Sequence, residues 1–284
     1  MRRKENIGIR FLYRTLPGRV LLKGLTRPCF SRTAGYFLDS SCSKWLIPGF
    51  IRRNNIYMGE YEKRNYPSFN DFFKRRLIPG RRGIDGTKEN LISPCDGLLT
   101  VYKINRYGRI CIKHSWYGVE NLLGDTRLAG DFEGGLCFVI RLRPSDYHHY
   151  CYVDNGTVLK TKKIPGILHC VRPIASEEYP VYIQNCREYT LIQTENFGKI
   201  VQMEIGALLV GKINNRNLDM DIKRGMEKGY FEFGGSTIVL LTEAGQIEPA
   251  SVKRNHPMSE EVRLGEKIAE RAVRLSPLMV VRNE

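Results

Sequence analysis

The amino-acid sequence predicts an α+β protein in which N-terminal amphipathic helices precede a largely antiparallel, β-rich domain. Three observations carry that expectation. The first third repeats apolar residues at helical spacing, and the remainder is a series of short apolar runs broken by Gly, Pro and Asn/Asp. The excess positive charge, in addition, is confined to the helical part. With 284 residues, 42% of them hydrophobic, the chain is long enough for one large domain or two modest ones with a hydrophobic core.

Ile9, Leu12, Tyr13 and Leu16 follow an i, i+3, i+4, i+7 stripe that leaves Arg10 and Arg14 off it. Pro17-Gly18 interrupts the stripe and "RVLLKGLTRPCF" resumes it. A third apolar segment holds Tyr36, Phe37, Leu38, Trp45, Leu46 and Ile47. From Met1 to Arg82 there are 19 Lys and Arg against 5 Asp and Glu, so +14 of the formal +15 lies here. Basic amphipathic helices can lie in a membrane interface, where each cation near an anionic surface contributes about 1 kcal/mol. Clustered charge also suits a nucleic-acid backbone. The plainest alternative is a solvated cationic face on helices that pack against their own domain. Leucines and aromatics among the charges suit lipid better than nucleic acid, and no nucleic-acid motif is present.

Ser68, with Asp71 three residues on and Phe72-Phe73 following, predicts the cap of a short helix. From about residue 91 the runs "GLLTVYKI", "GLCFVIRL", "HHYCYVDNGTVL", "KIVQMEIGALLVGKI" and "TIVLLTEAG" predict strands, with "DNG" and "NFG" as turns between them. "SEEVRLGEKIAERA" predicts an exposed helix near the C-terminus, or a loop with helical ends. The eight cysteines, at 29, 42, 95, 111, 137, 151, 170 and 186, contain no C-x-x-C pair, which argues for free thiols in a reducing, cytosolic setting. Charges interrupt the N-terminal stretch before a secretory h-region forms, and no apolar run approaches the ~18 residues of a membrane span.

Three stretches carry candidate chemistry. "SPCDG" (93–97) presents Asp96 on a turn, either as plain structure or as a carboxylate that orients a histidine. "RLRPSDYHHYCY" (141–152) holds adjacent His148 and His149, which in a strand face opposite sides. A neutral histidine is the usual group for taking a proton from serine. "GYFEFGGSTIVLL" (229–241) places Gly235-Ser236 between two strand-like runs. A hydrolase elbow would read G-x-S-x-G before a helix, whereas Ser236 precedes a strand. Glycine before serine suits a tight turn, and it also leaves the Gly235 carbonyl unshielded toward the Ser236 hydroxyl. Spacing alone leaves the two open.

Taken in order, the segments resemble the phosphatidylserine decarboxylases, pyruvoyl enzymes made as self-cleaving proenzymes. "YPSFNDFFKRRLIPGRR" resembles the family's entry into its catalytic domain, "SPCDG" its aspartate motif and "SDYHHYCYVDNG" its histidine motif. "MEIGALLVGKI" resembles a glycine-bearing core strand, and "KGYFEFGGSTIVLL" the cleavage site. Each is weak alone, but five in order are specific. Gly234 stands where many members carry leucine, and Cys151 where many carry a second histidine.

The resemblance implies that Asp96 orients His148, that His148 deprotonates Ser236, and that Ser236 attacks the Gly235 carbonyl; His149 is the fallback base. Cleavage would leave fragments 1–235 and 236–284 held together, with Ser236 converted to the pyruvoyl group and Schiff-base site and Gly235 as its cleavage partner. The pyruvoyl group would be the cofactor, with no metal or nucleotide. Residues 1–82 would form a basic helical membrane-associating region and 83–284 the β-rich catalytic domain. The implied setting is peripheral, on the cytoplasmic side of the cell membrane, against anionic phospholipid and without nucleic acid, as a homodimer. Three rivals remain: a pyruvoyl decarboxylase of another amino acid or lipid amine, a lipid-binding module that never cleaves, and a serine hydrolase.

Overall fold

The N-terminal region folds as four helices, α1 (Ile7–Arg14), α2 (Leu16–Leu25), α3 (Pro28–Asp39) and α4 (Leu46–Asn54), followed by the short α5 (Phe69–Phe73). The computed structural model describes residues 7–25, 28–112, 115–167, 181–206, 212–216, 220–234, 236–249 and 259–272. Pro17 sits in the first turn of α2, where a missing N–H is tolerated. A Cβ on Gly18 would lie 2.0 Å from the Phe11 carbonyl oxygen, so this glycine lets α2 close on α1. The predicted break at Pro17-Gly18 is therefore a tight helix–helix junction. Ser68 caps α5 as expected, its hydroxyl accepting the Asp71 N–H at 3.1 Å.

The strands run β1 (Asn90–Ile92), β2 (Gly97–Lys103), β3 (Arg109–Ile112), β4 (Ser115–Gly118), β5 (Leu136–Leu142), β6 (His149–Cys151), β7 (Gly156–Ile164) and β8 (Arg187–Thr194). They continue as β9 (Lys199–Gly206), β10 (Ile213–Asn215), β11 (Asp221–Ile222), β12 (Glu227–Phe231), β13 (Ser236–Thr242), β14 (Ile247–Pro249), β15 (Glu260–Val262) and β16 (Lys267–Arg271). Eight of them form one sheet in the order β11-β7-β8-β9-β13-β5-β2-β15, with every pairing antiparallel. Smaller sheets β10-β12-β6 and β1-β16-β14 and the hairpin β3-β4 take up the remaining strands. The "NFG" turn joins β8 to β9 with Gly198 at φ +69°.

β13 is the central strand and all seven of its residues are buried. Val239 and Leu241 pack into one core with Tyr13 of α1 and Leu22 of α2. Ile238 and Leu240 pack into a second core with Tyr150 of β6 and Phe231 of β12. Both faces are covered, so "TIVLL" is uninterrupted apolar sequence rather than an alternating pattern. A third cluster joins α3, α4 and α5 to Tyr147 and Phe233. The helical region is thus stitched to the sheet at two places, and Leu16, Val20, Tyr36 and Trp45 are left in solvent.

One element differs from expectation. "SEEVRLGEKIAERA" forms β15 and β16 rather than a helix, with Val262, Leu264, Ile268 and Ala269 buried. Gly265 turns the chain at φ +87°, β15 finds the free edge of β2, and β16 fills the gap between β1 and β14. Sheet partners and apolar burial outweigh a helix propensity worth a few tenths of a kcal/mol per residue.

Candidate active site

Ser236 opens β13 with Leu142 of β5 on one side and Gly206 of β9 on the other. Directly paired residues share a face, so Ser236 points the same way as Ile238, toward the core beneath the β10-β12-β6 sheet. Gly206, its partner on β9, carries no side chain. The Ser236 hydroxyl is fully buried and has no hydrogen-bond partner among the described residues, an arrangement that calls for an explanation. Gly235, on the other side of the predicted cleavage bond, lies outside the described residues, as do residues 207–211 of the glycine-bearing segment.

The two neighbouring histidines have opposite fates. His148 Nδ1 lies 2.9 Å from the Asp146 carbonyl oxygen, which can only accept, so Nδ1 carries the proton and Nε2 keeps its lone pair. That Nε2 is buried without a partner among the described residues. Burial, reinforced by the Arg75 charge, lowers the His148 pKa to about 3, so the ring is neutral at physiological pH. Phe73 packs on it at 4.2 Å between ring centroids. His149 instead has both nitrogens against acceptors, Glu227 Oε1 and the Lys74 carbonyl oxygen, each at 3.1 Å, and stacks on Tyr147. Both ring nitrogens are thus directed at other residues rather than left open for a serine. Cys151 is a buried thiol whose pKa burial pushes up to about 12.

Asp96 is where the structure departs from the expected triad. One of its oxygens accepts Arg82 Nε (3.0 Å) and the Leu264 N–H (2.8 Å), and the other accepts Arg82 Nη2 (2.6 Å). No hydrogen bond joins it to His148 in this structure; the Asp146 carbonyl fills that place. The physical reason is the match between a planar guanidinium and a carboxylate, which Arg82 satisfies in bidentate fashion. Asp96 nevertheless lies beside the site. It precedes β2, two strands from β13, and the Pro94 carbonyl accepts the Cys151 N–H at 2.9 Å.

Several further residues shape the site. Arg75, almost fully buried, donates to the carbonyls of Ser145 (2.9 Å) and Asp146 (3.1 Å), which holds the turn that aims His148. Arg143 fastens the same turn by donating to the Asp146 carboxylate. Asn70, on α5, accepts the Phe233 N–H at 3.2 Å and donates to Asp39 of α3 at 2.7 Å. The Phe233 ring packs edge-on against Phe69 and Phe73. The loop that leads to Ser236 is therefore anchored in the helical region, and Gly234 in it adopts φ +152°, where any side chain would be strained. In sequence Arg75 is one of a run of charges, "KRR"; only its burial distinguishes it.

Residues 69–270 match the model of a family described as phosphatidylserine decarboxylase. The chain is 43% identical over 270 residues to phosphatidylserine decarboxylase proenzyme 2 of Clostridium acetobutylicum, covering 94% of this chain and 92% of that one. It is 39% identical over 246 residues to the phosphatidylserine decarboxylase proenzyme of Clostridium perfringens (85% and 82% covered). For that of Ruminiclostridium cellulolyticum the figure is 38% over 243 residues (84% and 81%). The chain belongs to the phosphatidylserine decarboxylase family.

Proposed function

We propose that this protein is a carboxy-lyase that converts phosphatidylserine to phosphatidylethanolamine, after cutting itself between Gly235 and Ser236 and turning residue 236 into a pyruvoyl group. The observation that carries the self-cutting is the Ser236 hydroxyl and the His148 Nε2, both buried and unpartnered among the described residues. In that reading His148 takes the hydroxyl proton and Ser236 Oγ attacks the Gly235 carbonyl carbon. The C–N bond breaks, the Ser236 nitrogen takes a proton, and an ester replaces the amide. Loss of the Cα proton expels the Gly235 carboxylate, and water then releases ammonia from residue 236. When formed, the pyruvoyl group supplies a ketone that captures a primary amine and draws electrons from the departing carboxylate. Asp96 takes part as a positioning residue, holding Arg82 and the Leu264 turn at the same end of the sheet.

Residues 1–82 serve in this reading as the surface that meets an anionic phospholipid membrane from the cytoplasmic side. Support comes from Leu16, Val20, Tyr36 and Trp45 standing in solvent on a helical region that also carries Arg14 and Lys23. No helix among the described residues is long and apolar enough to cross a membrane. The matured fragments would stay together as a homodimer, which native mass measurement checks.

The deciding experiment is the intact mass under denaturing conditions. The proposal requires two pieces meeting at 235/236, the smaller lighter by one ammonia than a free N-terminal serine predicts. A single whole chain sinks it in favour of a lipid-binding module. A panel of amino acids and lipid amines tests the substrate.

A further inference from the structure

The face of the sheet that carries Ser236 also holds an ion pair that the chemistry above does not use. Glu204 of β9 pairs with Ile238, two residues along β13 from Ser236, so its side chain lies on the Ser236 face. Such diagonal neighbours have Cβ atoms roughly 7 Å apart, within reach of a long side chain. Glu204 is fully buried. Its Oε2 accepts from Lys228 Nζ at 2.5 Å and from Asn215 Nδ2 at 3.2 Å, and Asn215 in turn accepts the Tyr150 hydroxyl proton at 2.9 Å. Lys228 is itself fully buried. The second oxygen, Oε1, accepts nothing among the described residues and is shut away from solvent.

That asymmetry is unusual. Burial pushes the Glu204 carboxyl upward, and Lys228 and Asn215 oppose the shift, favouring the ionised form through Oε2 alone. A buried carboxylate oxygen without a partner costs more than almost any other polar atom, unless a donor arrives to fill it. The serine headgroup of the substrate carries one strong N–H donor, its primary ammonium, and that nitrogen has to reach residue 236. Lys228 offsets the carboxylate charge without occupying both oxygens, so the site is electrically mild and yet accepts at one point.

We propose that Glu204 is the amine-binding residue: its Oε1 accepts an N–H of the substrate's primary ammonium and aims the nitrogen at residue 236, while Lys228 and Asn215 hold Oε2. The inference rests on the decarboxylase reading and adds the group that recognises the amine. It also separates amine capture, on Glu204, from proton abstraction, on His148.

The test uses the full-length chain after maturation, as wild type, as Glu204→Gln, and as Glu204→Gln with Lys228→Met so that no lone charge is left buried. Fragment masses show whether each has cut itself. Reaction with hydroxylamine, an uncharged nucleophile, reports whether the residue-236 ketone is present and open. Covalent capture of phosphatidylserine by cyanoborohydride, read as a mass increase on the small fragment, reports amine delivery. Both variants are expected to cut and to react with hydroxylamine like wild type, to capture phosphatidylserine at least tenfold more slowly, and to show a raised KM with a smaller change in kcat. Undiminished capture in a matured variant would mean Oε1 holds only a structural water and would overturn the inference. Failure of both variants to cut, with melting curves like wild type, would also overturn it, by moving Glu204 to the cleavage step. A wild-type chain that never cuts would sink the decarboxylase reading itself.

Discussion

On α2, Leu16 is 80% and Val20 72% exposed, whereas at the start of β13 and diagonally across from it Ser236 and Glu204 are fully buried with oxygens that nothing described satisfies. The helical region leaves outside what a protein normally hides, and the sheet hides what a protein normally leaves outside. Neither is explained by stability. Exposed leucines gain nothing from water, and unpartnered buried oxygens cost free energy. The two departures complement each other in an enzyme that acts on lipid. In the reading proposed above, an apolar, cationic face would meet the bilayer and a dry polar interior would act on the headgroup. Phe233 and Asn70 connect the two, because the loop entering Ser236 is held by the helices.

That contrast is most easily broken at the nucleophile. Ser236→Ala is expected to abolish cutting, with one whole chain by intact mass; normal fragments would end the assignment. His148→Gln should slow cutting by roughly 10²–10⁴-fold, the usual worth of a general base. His149→Gln, whose parent ring already faces Glu227 and the Lys74 carbonyl, should leave cutting largely intact. A time course of fragment appearance checks both, and the reverse ranking would move the base to His149.

On the other side of the comparison, Leu16→Glu with Val20→Glu should weaken binding to anionic vesicles by at least about tenfold, since burying each parent side chain contributes about 1.5–3 kcal/mol. Activity on detergent-dispersed substrate should not change, because both positions are solvent-facing. Unaltered sedimentation with vesicles would show that the exposed apolar side chains serve something else.

The smallest effect concerns pH. Between about 3 and 6.5 the unfolded chain protonates His148 while the folded chain, with that pKa near 3, does not. Its contribution is fully present above 6.5 and is lost as pH falls, by at most about 1.4 kcal/mol per unit. Denaturant titrations at several pH values should therefore show a shallower acid slope in His148→Asn than in wild type. Equal slopes would mean that His148 is not held neutral.

Much of this is legible in the residues themselves. The apolar stripe around Tyr13, the Ser68 cap and the strand runs are local properties of spacing and side-chain type, so the α+β architecture follows from them. The C-terminal segment reads as a helix because its helix-forming residues carry no mark of the sheet edges waiting at β1, β2 and β14. Motif order points to Ser236, Asp96 and two adjacent histidines. It has no way to show that Arg82 holds Asp96, that the Asp146 carbonyl sets the His148 tautomer, or that His149 is fully occupied. Hydrogen-bond partners drawn from residues dozens of positions away are decided only when strands and helices meet. Residue types and their order define which groups could do the chemistry. Packing selects which of them are left buried and free to do it, because solvation and the filling of lone pairs are properties of the folded chain.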